Sequence, residues 1–310
     1  MSQALDCDVL IIGGGCAGLT AAIYTARASL KTILLDKLEP GGQLATTQEV
    51  ENYPGFVEPV NGPELMERFL KQAQRFGTEI RSAQVTSLEA GDPAFRLVHT
   101  DQGDLRCKAV IVATGADPKT LGVPGEDRLR GRGVSYCATC DAPFFRNKDV
   151  AVVGGGNTAV EEGGYVTKFA RSVTLIHRRD KLRADPIIQD RALKNPKMIF
   201  RWDTVVTEVV GDQTVEKALL KNVKTGEASE LVVQGCFVLV GSTPNTGFLR
   251  GLCELDDLGF VKVNARKETN VPGIFAAGDC EDSVWRQAVT AAGFGCSAAI
   301  AAKQYIENLE

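Results

Sequence analysis

Histidine is scarce in this chain, with only His99 and His177 among 310 residues. A structural zinc site usually takes two C-x-x-C pairs or a pair plus histidines; this chain has one such pair, Cys137 and Cys140, beside only those two histidines, so zinc is poorly supported and no metal is expected. Lysine and arginine form no basic block and the net charge is −4, so nothing marks nucleic acid as a partner. No run of apolar residues approaches the ~20 that a bilayer crossing needs. The start, MSQALDCDVLIIGGG, carries an acidic pair and runs straight into a glycine turn, unlike a secretory leader. The expectation is a cytoplasmic protein without a membrane partner. The nine cysteines are odd in number and scattered, which argues against a disulfide framework and for a reducing compartment. Aromatic residues make up only 6%, whereas glycine occurs 32 times. That balance suits an α/β protein with many tight strand-to-helix turns.

Two glycine turns carry the next inference. Val9–Ile12 is a short apolar run, as expected of a buried parallel strand, and Gly13, Gly15 and Gly18 follow in G-x-G-x-x-G spacing. A helical stretch comes next, then the strand TILLD ending at Asp36. Gly13 permits the turn, Gly15 lets a pyrophosphate approach the backbone, and Gly18 lets helix and strand pack closely. The phosphates would rest on the helix N-terminus, and Asp36 would hold ribose hydroxyls.

The pattern recurs at Asp149–Val153, with Gly154 and Gly156 in the turn and Ala159 at the packing position. The strand SVTLI follows, but no acid ends it. His177, Arg178 and Arg179 stand there instead, with Arg183 four residues on. Guanidinium groups pair with a 2′-phosphate that an acid would repel, so this loop should prefer NADPH to NADH. Two such loops imply two dinucleotides, FAD and NADPH, on two Rossmann-like α/β domains.

The stretch GVSYCATCDAPFF sets Cys137 and Cys140 two residues apart. A bridge closing so small a loop would constrain the unfolded chain little. A redox pair fits better, because one thiol of a C-x-x-C motif often has a lowered pKa and attacks a disulfide. Asp141 beside it could deliver a proton if burial raises its pKa, or could be a capping or turn aspartate; the residues alone leave both open.

Taken together, GGQLATTQEVENYPGF, ATGADPKTLGVPGE, CATCD, GGGNTAVEE, HRRDKLRA and AAGDCEDSVWRQAVTAAGFGCSAA make the chain resemble the low-molecular-weight, bacterial-type thioredoxin reductases over essentially its whole length. The resemblance implies electron flow from NADPH to FAD, to a Cys137–Cys140 disulfide, and on to thioredoxin. By matching positions, Cys140 would face the flavin, Cys137 would attack thioredoxin, and Asp141 would be the acid. Gly41, Gly42, Gln43, Asn52 and Gly115 fall where the family binds FAD. Asp279 would bind the ribitol region, and Arg286, Gln287 and Ala288 would lie beside the isoalloxazine. Asn157 and Thr158 would join the NADPH loop. The resemblance also implies a homodimer. It implies a discontinuous FAD domain, 1–116 and 246–310, with an inserted NADPH domain, 117–245, that rotates between half-reactions.

Larger disulfide reductases place a C-x4-C pair at the first glycine loop. Here Cys16 follows Gly15, but Ala21 stands where its partner would be. Two departures from the family pattern are Ala142–Pro143 after the redox motif, where Gly is frequent, and Ser242, where histidine is frequent.

Overall fold

The computed structural model describes residues 5–47, 49–90 and 95–309. It divides into two compact units, residues 1–117 with 243–310, and residues 118–242.

The first unit is built on a sheet whose parallel part runs Glu79–Ser82, Thr32–Asp36, Cys7–Ile12, Gly103–Val112. Arg96–Thr100 and Val85–Glu89 continue it antiparallel, and Ile274–Ala276 adds parallel to Gly103–Val112. The first strand begins at Cys7, two residues before the apolar run, because Asp6 and Asp8 N–H groups already bond to Arg106 and Lys31 carbonyls. Both faces of the sheet are covered, which accounts for the unbroken burial of Val9, Leu10 and Ile11.

Helices Cys16–Arg27 and Ala288–Glu307 pack against each other on one face. Small residues allow this closeness. A Cβ on Gly295 would lie 2.1 Å from the Ala17 carbonyl oxygen. Gln287 and Thr290 exchange side-chain-to-backbone hydrogen bonds as a capping box at the start of the second helix.

The second unit has a five-stranded parallel sheet ordered Met198–Arg201, Ser172–Ile176, Asp149–Val153, Gly235–Val238, Val134–Ser135. A three-stranded antiparallel sheet, Thr204–Val210, Lys217–Asn222 and Ala228–Val232, accompanies it. Parallel strands bring their carboxyl ends to one edge. The glycine turn after Val153 and the redox turn after Ser135 therefore hang from the same edge, with Gly235–Val238 between them.

The connecting segments Ala116–Pro118 and Ser242–Pro244 pair as a two-stranded sheet. No helix among the described residues is long and apolar enough to cross a membrane.

Candidate functional site

In the first unit, Gly13 takes φ +106° and leads into the helix Cys16–Arg27. A Cβ on Gly18 would meet the Gly13 carbonyl oxygen at 1.8 Å, so only glycine fits there. Gly15 faces open space, room a phosphate group could enter. Asp36 reaches back to this turn, where its Oδ2 accepts the Gly14 N–H at 2.6 Å and its Oδ1 accepts the Leu38 N–H at 3.1 Å. Each oxygen retains a lone pair for a ligand hydroxyl.

Further residues converge on the same helix N-terminus. A Cβ on Gly42 would lie 3.2 Å from Gly15 Cα, which sets Gly41 and Gly42 over the first turn. Gln43 donates to the Ala116 carbonyl, and the neighbouring Gly115 carbonyl accepts the Asn245 N–H at 3.0 Å. Asn52 donates to Gln287 Oε1 at 3.4 Å, which ties this loop to the start of the terminal helix. Gly278 packs on Ala17 and so brings Asp279 to the same place. Burial, with Asp282 and Glu281 nearby, lifts Asp279 to about 6 against the pull of Arg286.

Asp282 organises the approach to that helix and carries no sequence signature of its own. Its Oδ1 accepts the Val284 and Trp285 N–H groups and its Oδ2 accepts the Arg286 N–H. This holds Arg286 at φ +47°, a backbone state uncommon for a bulky residue. Ala288 opens the helix and Gln287 caps it.

In the second unit, Gly154 takes φ +152° and Gly156 caps the helix Asn157–Val166. Asn157 and Asp185 hold each other, Asn157 Nδ2 to Asp185 Oδ2 at 3.0 Å and Asp185 N–H to Asn157 Oδ1 at 2.8 Å. Thr158 stays exposed beside Asn157. The Arg183 N–H donates to the Gly155 carbonyl at 2.7 Å, and its guanidinium reaches the vicinity of Gly156. Arg178, Arg179 and Arg183 are exposed, but His177 is buried under Gly155. Burial lowers the His177 pKa despite a hydrogen bond to the Lys181 backbone, and Arg183, Arg179 and Arg178 add to the lowering. Cationic charge at this loop thus comes from the arginines, while His177 supports the turn from beneath.

Cys137 and Cys140 form a disulfide with Cα atoms 5.3 Å apart. The Cys140 N–H donates to Cys137 Sγ at 3.2 Å and the Asp141 N–H to the Cys137 carbonyl at 3.1 Å. Burial raises the Asp141 pKa, and the polar Ser135 side chain opposes the rise. Ser135 Oγ also accepts the Cys137 N–H at 3.1 Å. The Tyr136 hydroxyl donates to Glu126 at 2.9 Å, and that buried carboxylate also accepts the Leu121 and Gly122 N–H groups. Ser135 and Glu126 escape sequence reasoning because their partners are chosen by the folded turn, not by spacing.

A glycine turn open at Gly15, lone pairs on Asp36 and a part-buried acceptor at Asp279 suit a dinucleotide with sugar and polyol hydroxyls. The arginine-lined loop at Gly156 suits a second one carrying an extra phosphate.

The family model described as pyridine nucleotide-disulphide oxidoreductase matches residues 7–295. A thioredoxin reductase of Mycolicibacterium smegmatis is 50% identical over 300 residues, covering 96% of each chain. The crystal structure of thioredoxin reductase from Streptococcus pyogenes is 43% identical, covers 97% of this chain and 98% of its own, and superposes with a TM-score of 0.94. The Lactococcus lactis thioredoxin reductase, described in its FR conformation, is 44% identical, covers 98% and 100%, and gives 0.67. The chain therefore belongs to the pyridine nucleotide-disulphide oxidoreductase family of flavoenzymes and, within it, is of the low-molecular-weight thioredoxin reductase type.

Proposed function

We propose that this flavoenzyme moves electrons from NADPH through FAD to the Cys137–Cys140 disulfide, and from the resulting dithiol to oxidised thioredoxin. The observation that carries the reading is the disulfide itself, set beside a nucleotide loop on one sheet edge. The other seven cysteines are free, which also favours a cytoplasmic setting.

When bound, flavin supplies a centre that takes a hydride and passes on an electron pair. The chain's own residues bind and orient. Gly13, Gly15, Gly18 and Asp36 would hold the adenosine diphosphate half of FAD. Gly41, Gly42, Gln43, Asn52, Gly115, Asp279 and the Arg286–Ala288 turn would hold the rest. Gly154, Gly156, Asn157 and Thr158 would seat NADPH, with Arg178, Arg179 and Arg183 on its 2′-phosphate.

After reduction, the Cys140 N–H stabilises negative charge on Cys137 Sγ, which suits Cys137 as the nucleophile toward thioredoxin. Cys140 is then the sulfur facing the flavin. Asp141, its pKa raised by burial, holds a proton for the sulfur that receives charge.

One unit carries the flavin residues and the other carries both the disulfide and the NADPH loop, so each must approach the flavin in turn. We read the two connecting segments as a hinge. The unequal superposition of two equally similar relatives supports this. We also read the face made by Tyr24, Val289 and Ile300, each more than a third exposed on the two packed helices, as the contact of a homodimer. Ile300→Glu is expected to convert the dimer to monomer in light scattering; an unchanged mass removes this assignment.

Anaerobic titration with NADPH, then thioredoxin, tests the main reading through flavin absorbance. NADPH should bleach the flavin and oxidised thioredoxin should restore it. Cys137→Ser and Cys140→Ser should keep the bleaching and lose thioredoxin reduction. Undiminished turnover in either variant would sink the relay.

A further inference from the structure

Within the redox turn the Cys137 N–H donates to Ser135 Oγ at 3.1 Å, the Cys140 N–H to Cys137 Sγ at 3.2 Å and the Asp141 N–H to the Cys137 carbonyl at 3.1 Å. The Ala138 N–H points out of the turn instead, and donates to Glu162 Oε2 at 3.2 Å. Glu162 lies in the second turn of the helix Asn157–Val166, which opens at Gly156 and packs against the short helix Ala138–Asp141. Glu162 is half-buried and Ala138 is buried. The amide that Glu162 holds is bonded directly to the Cys137 carbonyl carbon. Covalent geometry therefore keeps the carboxylate within roughly 9 Å of Cys137 Sγ.

We propose that Glu162 is a positioning residue of the redox turn whose negative charge keeps the Cys137 thiol protonated to higher pH and makes the dithiol the stronger reductant. The inference rests on the functional reading above and deepens it. When the dithiol serves its substrate, the Cys137–Cys140 bond re-forms and the substrate's S–S bond breaks. Two electrons and two protons pass from one sulfur pair to the other. A neighbouring carboxylate repels a thiolate but not an uncharged disulfide. It therefore destabilises the reduced state alone. A site that stabilises its reduced form becomes an oxidant, and this one is biased the opposite way. The same hydrogen bond fixes the amide next to the attacking sulfur, so position and charge come from one side chain.

Other titratable groups surround the turn. Asp141 stands on the same short helix, its pKa raised by burial. Glu126 accepts the Tyr136 hydroxyl at 2.9 Å, and Arg130 lies 5.0 Å from the Tyr136 ring centroid. Cys236 is buried in the strand Gly235–Val238, opposite Val134, and Glu161 is exposed beside Glu162. In the reduced state the Cys140 thiol joins them.

The test uses Glu162→Gln, which removes the charge and keeps an oxygen acceptor, and Glu162→Ala, which removes both. In a Cys140→Ser background, alkylation of the Cys137 peptide by iodoacetamide is followed against pH by mass spectrometry. Its midpoint should fall by about one pH unit in both variants. With both cysteines present, the equilibrium constant for reducing thioredoxin near pH ~8 should fall roughly 3- to 10-fold in Glu162→Gln. A Glu162→Gln midpoint equal to that of the unsubstituted residue, with only Glu162→Ala impaired, would make Glu162 merely a structural acceptor and overturn the proposal. So would a midpoint that rises. An enzyme that bleaches with NADPH but never reduces thioredoxin would instead defeat the functional reading, and the alkylation midpoints would still decide the role of Glu162.

Discussion

At the residue scale, packing and titration make opposite demands. Gly18 tolerates no side chain, so Gly18→Ala must open the strand-to-helix turn. We expect a destabilisation of about 3 kcal/mol or more and purified protein largely without flavin, read by denaturant melts and flavin content. Asp279 shows the other demand. An unfolded aspartate titrates near ~4, but burial lifts this one to about 6. The folded state therefore binds the proton more tightly than the unfolded. That contribution to stability is complete below the unfolded value and is lost as pH rises through about 6. Cofactor-free protein should lose ~1–3 kcal/mol across that window, and Asp279→Asn should flatten the loss. The three exposed arginines of the second loop make a separable claim. Arg178→Ala and Arg179→Ala should each raise the KM for NADPH roughly 10- to 100-fold and leave that for NADH nearly unchanged, since each removes a charge-assisted contact worth about 1.5–3 kcal/mol. Equal effects on both cofactors would remove the phosphate assignment.

At the element scale, apolar runs and glycine turns in the sequence announce strands well. Thr32–Asp36, Asp149–Val153 and Ser172–Ile176 begin and end where the residue pattern says, because each is a buried parallel strand closed by a turn or a polar residue. The antiparallel hairpins were not legible. Thr204–Val210, Lys217–Asn222 and Ala228–Val232 mix exposed and buried positions, and a register shift between Val206 and Glu208 breaks the alternation. The clamp between Glu126 and Tyr136 was hidden for a different reason: a lone glutamate in a loop carries no period. It joins the loop 121–126 to the residue preceding Cys137. Glu126→Ala would leave buried N–H groups and a tyrosine hydroxyl without their acceptor. A loss of about 2–4 kcal/mol is expected in urea unfolding, with slower thioredoxin turnover and intact flavin binding.

At the scale of the whole molecule, the α/β class followed from two repeats of one strand–glycine–helix grammar, and the motif order carried the resemblance to a reductase. Geometry between cofactor and disulfide is a property of two bodies, and sequence spacing does not encode it. A short cross-link fixing the two units in one arrangement should preserve at most one half-reaction in rapid mixing and lower multiple turnover at least ~10-fold. Full turnover in the cross-linked enzyme would discard the hinge. The paired segments Ala116–Pro118 and Ser242–Pro244 have one more consequence. Because the polypeptide departs and returns through neighbouring strands, residues 118–242 behave as a cassette plugged into a host fold. Such a piece can be excised, grafted or exchanged for a homologue's without rerouting the surrounding chain, and chimaeras cut at these two points are the natural place to begin redesigning which protein disulfide is served.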